Sequence, residues 1–235
     1  MLLRYGVKVQ PDIGEQHETV WLIDWKHPTA NQFGIAEEVS LRGEHNKRPD
    51  IVLYVNGIAL GILELKSSVV SVNEGIRQNI ANQSATFVKD FFATVQLILA
   101  GNDTEGVRYG TTDTPASHYL AWKEDDTAPT FDLLYDHLGQ LCQKSRLLEM
   151  IHDFTIFDKG AKKLCRSNQY FGVKAAQPFI QRHEGGIIWH TQGSGKSLTM
   201  VWLAKWIREN MGQARVVIIT DRIELDEQIE KVFMG

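Results

Sequence analysis

One glycine-rich segment constrains the fold of this 235-residue chain more than any other feature: His190-Thr191-Gln192-Gly193-Ser194-Gly195-Lys196-Ser197. An apolar run at residues 186–190 leads into it, and a stretch with helical spacing at 196–209 follows. A second apolar run at 215–220 then precedes a helix start at Glu224. A strand, a glycine turn, a helix and a second strand in this order predict a βαβ unit with a parallel sheet.

The same segment nearly fits the phosphate-loop pattern G-x-x-x-x-G-K-S/T, with His190 where the pattern has glycine. Glycines at 193 and 195 allow backbone N–H groups to surround a phosphate, and the following helix points its positive end at the same anion. Lys196 would pair with the β and γ phosphates, and the Ser197 hydroxyl would bind Mg²⁺. The alternative, a tight turn with an incidental lysine, does not account for the flanking strand and helix. The sequence therefore predicts an ATP site formed by Gln192, Gly193, Ser194, Gly195, Lys196 and Ser197.

A second motif lies upstream, where Asn56-Gly57 joins the apolar runs 51–55 and 58–65. This arrangement is typical of a β-hairpin. Glu64 and Lys66 are two residues apart and share one strand face, and Asp50 precedes the first strand. Carboxylates and a lysine at this end of the hairpin fit Mg²⁺-assisted phosphodiester hydrolysis. Asp50 and Glu64 would hold the metal, and Lys66 would orient or stabilise the attacking hydroxide. The simpler alternative is an amphipathic edge hairpin with a solvated Glu-Lys pair.

The turn geometry tests this interpretation. A strict two-residue turn would pair Asp50 with Leu63, which places Asp50 and Glu64 on opposite faces. A shared metal requires a common face. We therefore predict either a three-residue loop with Gly57 in the left-handed region or a β-bulge near Asp50.

The remaining pattern predicts a mixed α/β sheet. Polar residues 123–130 indicate an exposed connection, and 131–151 repeats apolar residues at helical spacing, as expected for a helical bridge. A domain boundary is predicted near residue 150. The other predicted elements are strands at 20–25, 95–100 and 119–122 and a helix at 72–92.

Charge and cysteine content limit the classes of function. The formal net charge of −4 gives no overall basic field, so any contact with nucleic acid must use a local basic surface. Cys142 and Cys165 have no metal-ligand spacing, which indicates reduced thiols in the cytoplasm. No apolar run approaches the roughly 20 residues that span a bilayer, and no signal peptide begins the chain. We expect a soluble protein with no membrane contact.

The two motifs in this order resemble the restriction (R, or HsdR) subunit of type I restriction-modification enzymes. The resemblance is carried by Arg48-Pro49-Asp50 with Glu64-Leu65-Lys66, by residues 189–197 and by residues 219–228. It implies an α/β chain with a PD-(D/E)xK nuclease-like mixed sheet domain and helical bridge at 1–150. The truncated start of a RecA-like P-loop motor domain, the first lobe of a superfamily two translocase, would follow at 151–235.

The resemblance also implies the activity and the partners. The complete family subunit hydrolyses ATP to pull duplex DNA past the complex and cleaves that DNA in a Mg²⁺-dependent reaction. Its partners are double-stranded DNA and the methylation (M) and specificity (S) subunits, in the cytoplasm of a bacterium or archaeon. Further site residues carried over from the family are Gln78 at the scissile phosphate or a metal-bound water, Gln169 at the adenine, and Asp221 and Arg222 of motor motif Ia at the DNA.

This chain departs from the family pattern in two respects. Asn82 stands where the family often has a tyrosine four residues after the glutamine, and no Asp-Glu box or arginine finger precedes Gly235. Read as an N-terminal fragment, the chain is expected to bind ATP without full ATPase activity. Glu37 or Glu38 would be a further candidate metal ligand. Two alternatives stay open: another superfamily two helicase-nuclease of the type III kind, and a nucleotide-switched DNA-binding module without cleavage.

Overall fold

The computed structural model describes residues 2–12, 14–43, 45–84, 87–124, 132–158 and 160–219. The helices are α1 (Leu2–Tyr5), α2 (Val72–Asn82), α3 (Leu133–Leu141), α4 (Lys144–His152), α5 (Ser167–Gln181) and α6 (Lys196–Asn210). The strands are β1 (Val7–Val9), β2 (Glu18–Val20), β3 (Phe33–Glu37), β4 (Ile51–Val55), β5 (Ile58–Leu65), β6 (Leu97–Asn102), β7 (Gly106–Gly110), β8 (Leu120–Ala121), β9 (Thr155–Asp158) and β10 (Ala161–Leu164). Short 3₁₀ helices occupy Pro28–Ala30, Lys89–Ala93 and Ala116–His118.

A six-stranded sheet forms the centre of the fold, with strand order β3-β4-β5-β6-β7-β8. Strands β5 and β6 are parallel, and every other neighbouring pair is antiparallel. A parallel pair needs a crossover connection, and α2 lies in that connection between β5 and β6. The predicted mixed α/β class with a central mixed sheet is confirmed. Two small antiparallel ribbons, β1-β2 and β9-β10, lie outside this sheet.

The two sheet faces have different coverings. On one face, Leu60, Leu63 and Leu99 are buried in a large apolar cluster that includes residues of α4, α5 and α6. On the other face, Val52 and Ile62 belong to a smaller cluster beside α2. This division matters for the site because β5 residues alternate between the faces, and Glu64 lies on the α2 side.

A cluster of aromatic side chains packs the C-terminal helices against the sheet. The Arg146 guanidinium lies 5.3, 5.5 and 5.6 Å from the ring centroids of Trp122, Tyr170 and Phe171. The Tyr109 hydroxyl of β7 donates to the Cys165 carbonyl at 2.7 Å. Helix α5 is therefore fixed against β7 and β8 by buried contacts.

Helix α2 is held tightly over the end of β5. Ser71 caps its N-terminus by accepting from the Asn73 N–H. The Asn79 amide donates to the Leu99 carbonyl of β6 at 2.8 Å. A Cβ at Gly75 would lie 3.1 Å from Ala100 Cβ and 3.5 Å from Glu64 Cβ, so the glycine permits the close approach. The helix consequently covers the side chain of Glu64.

Several predicted elements have different bounds. The strand at 20–25 is wrong: β2 ends at Val20, and the Asp24 carboxylate accepts from the N–H groups of Lys26 and His27, which turns the chain. The helix at 72–92 ends at Asn82, and a separate 3₁₀ helix follows at Lys89–Ala93. The helix at 131–151 is two helices, because α3 ends at Leu141 and Gln143 is extended. The strands at 95–100 and 119–122 correspond to the overlapping β6 and β8.

The helix at 196–209 is confirmed as α6, but the strands at 186–190 and 215–220 are wrong over the residues described, up to Ile219. Neither segment joins a β-ladder with any described strand. Ile187, Trp189 and Ile219 are 89%, 89% and 91% exposed. Extended segments need neighbouring strands to satisfy their backbone groups, and no described segment offers one. The helix start at Glu224 lies outside the described residues.

The cysteines are free thiols, as predicted. Burial raises the pKa of the Cys142 thiol to about 12 and that of Cys165 well above its usual range, so both stay protonated at neutral pH. Among the helices that the structure describes, none is long and apolar enough to cross a membrane.

Candidate functional site

The β4-β5 hairpin combines a two-residue turn with a β-bulge. Val55 pairs with Ile58 across Asn56-Gly57, whose φ angles are 49° and 79°. The register then shifts: Tyr54 pairs with Ala59, but Leu53 pairs with Gly61, which leaves Leu60 without a partner. Ile51 pairs with Leu63, and this register sets Asp50 opposite Glu64. The predicted bulge exists, at Leu60 instead of near Asp50, and the three-residue loop is wrong.

Gly61 explains why the bulge fits at this position. Without a side chain at 61, Leu60 can enter the large apolar cluster beside Leu53. A Cβ on Gly61 would lie only 3.1 Å from Leu53 Cδ1. The bulge is stabilised by the residue that precedes β6, because the Gln96 N–H donates to the Leu60 carbonyl at 2.8 Å. The extra residue thus brings the two carboxylates to one face without loss of core packing.

The two carboxylates have unequal environments. Asp50 is half-buried, and its Oδ2 accepts from the Leu65 N–H at 2.7 Å. Glu64 is 0% exposed, and neither of its carboxyl oxygens has a hydrogen-bond partner among the described residues. Burial, followed by the neighbouring Asp50 carboxylate, raises the pKa of Glu64 to about 7. A proton or a cation is therefore needed to stabilise the Glu64 carboxyl group.

Lys66 and Gln78 complete the group of predicted nuclease residues. The Lys66 ammonium lies 3.9 Å from Glu64 Oε2 and donates to Gln78 Oε1 at 2.8 Å. Its side chain is 19% exposed. Gln78 is on α2 and holds the ammonium at the edge of the site. Asp50, Glu64, Lys66 and Gln78 therefore converge from β4, β5 and α2.

The donor set at this position fits a hard divalent cation. Two carboxylates, one of them buried with both oxygens unpartnered, are ligands that Mg²⁺ accepts, with water and phosphate oxygens in the remaining positions. No group of three or more His, Cys, Asp or Glu side chains suited to a metal occurs in the described parts of the chain. Glu37 is exposed, and Glu38 forms an ion pair with Arg48 at 3.3 Å.

The phosphate loop lies at the N-terminus of α6. Gly193 and Gly195 have φ angles of 76° and 82°, in the left-handed region that favours glycine. The Lys196 ammonium donates to the carbonyls of His190 and Thr191, at 3.3 and 3.0 Å. The Lys196 side chain thus folds over its own loop. A phosphate could take the place of the two carbonyls as the hydrogen-bond acceptor of the lysine ammonium. The loop also contains Gln192 and Ser194, and Ser197 is in the first turn of α6.

Helix α5 supports the loop from behind. Gln169 is 2% exposed; its Nε2 donates to the Gly195 carbonyl at 2.8 Å, and its Oε1 accepts from the Arg166 N–H. The His190 ring lies against Gly172, where a Cβ would be 3.1 Å from ring atoms. The structure brings Gln169 to the loop, where both polar atoms of its side-chain amide are hydrogen-bonded within the protein. The role of Gln169 at the adenine stays a prediction.

Asp221 and Arg222 lie outside the described residues, and their role at DNA stays a prediction. Asn82 is buried at the end of α2, one helical turn after the exposed Gln78. The sequence analysis missed Lys47, whose ammonium lies 4.0 Å from the Phe87 ring centroid. Because the neighbouring Arg48 is also basic, the sequence gives no reason to select Lys47 over Arg48 as a site residue.

The comparisons with known proteins cover both sites. The family profile described as Type I restriction enzyme R protein N terminus matches residues 1–117, and the profile described as SWI2/SNF2 ATPase matches 168–235. The first range contains Asp50, Glu64, Lys66 and Gln78, and the second contains the phosphate loop.

Curated relatives agree over nearly the whole chain. The putative type I restriction enzyme MjaIXP endonuclease subunit of Methanocaldococcus jannaschii is 28% identical over 99% of this chain and 26% of its own length. The type I restriction enzyme HindI endonuclease subunit of Haemophilus influenzae is 29% identical over 99% of this chain and 24% of its own length. The SauCOLORF180P endonuclease subunit of Staphylococcus aureus is 26% identical over 90% of this chain.

This chain spans about a quarter of the length of the curated relatives it matches first. The profile match at residues 1–117 and the alignments over 99% of the chain agree with the resemblance carried by the two motifs. The chain belongs to the family of type I restriction enzyme R proteins.

Proposed function

We propose that this chain is the nuclease and ATP-binding part of a type I restriction endonuclease subunit, which cleaves duplex DNA with Mg²⁺ and translocates it with ATP. The observation that carries the nuclease proposal is the buried carboxylate of Glu64, opposite Asp50 and 3.9 Å from Lys66. Burial of a carboxylate costs several kcal/mol, and a single ammonium at 3.9 Å with no hydrogen bond to Glu64 offsets only part of that cost. A bound divalent cation would offset the rest.

The residues of the site have distinct roles in this proposal. Asp50 and Glu64 would hold Mg²⁺, with the Asp50 carboxylate oriented by the Leu65 N–H. Bound Mg²⁺ would supply polarisation of the phosphate oxygen and a lower pKa for a nearby water. Lys66 would stabilise the negative charge that develops on the phosphate, and Gln78 would position the lysine ammonium.

The nuclease proposal is tested with the full-length subunit assembled with its methylation and specificity subunits. Glu64→Ala and Lys66→Ala should each lower Mg²⁺-dependent nicking of a supercoiled plasmid, by about 1000-fold for Glu64→Ala, because several kcal/mol of charge stabilisation is lost. Glu18→Ala, which removes an exposed carboxylate from β2, is the matched control. Wild-type nicking by Glu64→Ala would instead favour a nucleotide-switched DNA-binding module.

The ATP-dependent part is supported by the left-handed glycines, the Lys196 contacts and the match to an ATPase profile at 168–235. Lys196 would exchange its two carbonyl acceptors for phosphate oxygens, and Ser197 would bind the Mg²⁺ of the nucleotide. Lys196→Ala should abolish ATP-dependent translocation and cleavage while the protein stays folded. Normal ATP turnover in that variant would contradict the assignment.

A further inference from the structure

A short basic loop lies directly before the nuclease motif. We name residues 41–48 the basic loop; it carries Arg42, His45, Lys47 and Arg48 with one acidic residue, Glu44, on a chain whose net charge is −4. Two backbone hydrogen bonds join Leu41 and Lys47, at 2.7 and 3.1 Å. Leu41 and Lys47 are thus fixed to each other shortly before Asp50 in the chain.

Phe87 anchors the basic loop to the segment that follows α2. A Cβ on Gly43 would lie 2.2 Å from the Phe87 carbonyl oxygen, so only glycine allows this approach. The His45 ring lies 5.7 Å from the Phe87 ring, and the Lys47 ammonium lies 4.0 Å from its centroid. The loop therefore packs against the segment at Phe87 that follows α2, the helix that carries Gln78.

Lys47 differs from the other cations near the site. Arg48 is paired with Glu38, and Lys66 is held by Gln78 and Glu64. Lys47 is half-buried and has no ion pair within the described ranges. Lys47 is three residues before Asp50, and its charge slightly lowers the pKa of Glu64, against the larger effects of burial and of Asp50. A cation held over Phe87 in the segment that leads into Asp50 is suited to an anion that approaches the carboxylates.

We propose that the basic loop binds the phosphate backbone of duplex DNA beside the nuclease site, and that Lys47, held over Phe87, contacts a phosphate of the strand being cut. This inference rests on the proposed nuclease function. A phosphodiester gains negative charge during hydrolysis, and a preoriented ammonium stabilises that charge without reorganisation. Exposed Arg42 and His45 would contact flanking phosphates, which supply affinity without sequence information.

The test uses the full-length subunit in its complete complex and compares two substitutions of Lys47. Lys47→Met keeps an unbranched apolar side chain over Phe87 but removes the charge, whereas Lys47→Arg keeps the positive charge. Lys8→Met, on exposed β1, is the matched control. Plasmid cleavage rates are measured between about 50 and 200 mM salt, with ATP turnover measured in parallel. ATP turnover reports whether the complex is folded and active as a motor.

For Lys47→Met we expect the cleavage rate to fall at least tenfold while ATP turnover stays within twofold of wild type. The plot of log cleavage rate against log salt concentration should become less steep, with its slope smaller in magnitude by about one. Lys47→Arg should recover most of the rate. Wild-type cleavage by Lys47→Met overturns the inference. A loss that Lys47→Arg does not recover, with an unchanged salt slope, also overturns it, because the lysine would then act only through packing. Glu64→Ala separates the two proposals: wild-type cleavage by that variant refutes the nuclease function itself.

Discussion

The proposed nuclease site and the phosphate loop differ in how far the surrounding fold fixes their geometry. Asp50 and Glu64 are set opposite each other by the β4-β5 ladder, and Glu64 is completely buried beneath α2. The phosphate loop lies between α6 and a segment that joins no described ladder, and Lys196 folds onto its own loop carbonyls. The first site is preorganised by the sheet, whereas the second depends on its glycines, on α5 and on the nucleotide itself.

The largest expected effect comes from a one-residue shift of the β5 register. Insertion of one alanine between Leu60 and Gly61, with a single bulged residue kept, would pair Asp50 with Leu63 and turn Glu64 to the opposite face, so plasmid cleavage should be lost. The melting temperature should also fall by roughly 10 °C, since core packing is disrupted.

The control for this insertion is Leu60→Ala, which costs about 2–5 kcal/mol of stability but keeps the register of β4 and β5. Its cleavage should persist below its melting temperature. Cleavage by the insertion variant at the rate of Leu60→Ala would contradict the need for a common face of Asp50 and Glu64.

The second prediction compares two glycines of the phosphate loop. Both have positive φ, so alanine at either position costs about 1–2 kcal/mol. A Cβ at Gly195 would lie 2.4 Å from Gln169 Nε2, whereas none of the surrounding atoms comes within 4 Å of a Cβ at Gly193. Binding of a fluorescent ATP analogue should weaken by about tenfold in Gly193→Ala and by more than about 100-fold in Gly195→Ala. Equal losses would show that Gln169 does not support the loop.

The smallest effect concerns pH. The folded-state pKa of Glu64, about 7, is above its usual value of 4.5, so the folded protein binds more protons than the unfolded chain between these values. Without a divalent cation, stability should fall as pH rises from 4.5 to 7. Glu64→Gln should therefore be more stable than wild type above pH 7, by about 2–3 kcal/mol, and similar near pH 4.5. Denaturant unfolding with a chelator measures this difference, and a Gln variant less stable at pH 8 would contradict it.

The sequence pattern specified the hairpin better than the rest of the fold. Strands β4 and β5 have the predicted bounds, because two apolar runs joined by an Asn-Gly turn give a strong local signal. Strand β3 is a short, mostly exposed edge strand interrupted by Gly34, and β7 is three residues between glycines, so both were missed. The break between α3 and α4 has no glycine or proline to mark it, and the apolar spacing passes through it.

The candidate site could be predicted only in part. The need for one shared face indicated a bulge, but its position at Leu60 depends on tertiary packing of Leu53 and on Gln96, which directly precedes β6. The convergence of Gln78 with Lys66 also depends on α2 crossing the sheet, which residue spacing does not encode. Lys47 was missed for the same reason, since its partner Phe87 is distant in sequence.

The most direct test of the carboxylate site is thermal melting at pH 8 with increasing Mg²⁺ or Mn²⁺, for wild type and for Glu64→Gln. A cation that binds only the folded state raises the melting temperature in proportion to the logarithm of its concentration above Kd. The melting temperature of the wild type should rise by several degrees, while that of Glu64→Gln should stay constant within error in the absence of nucleotide. Equal shifts for both proteins would contradict a cation site between Asp50 and Glu64.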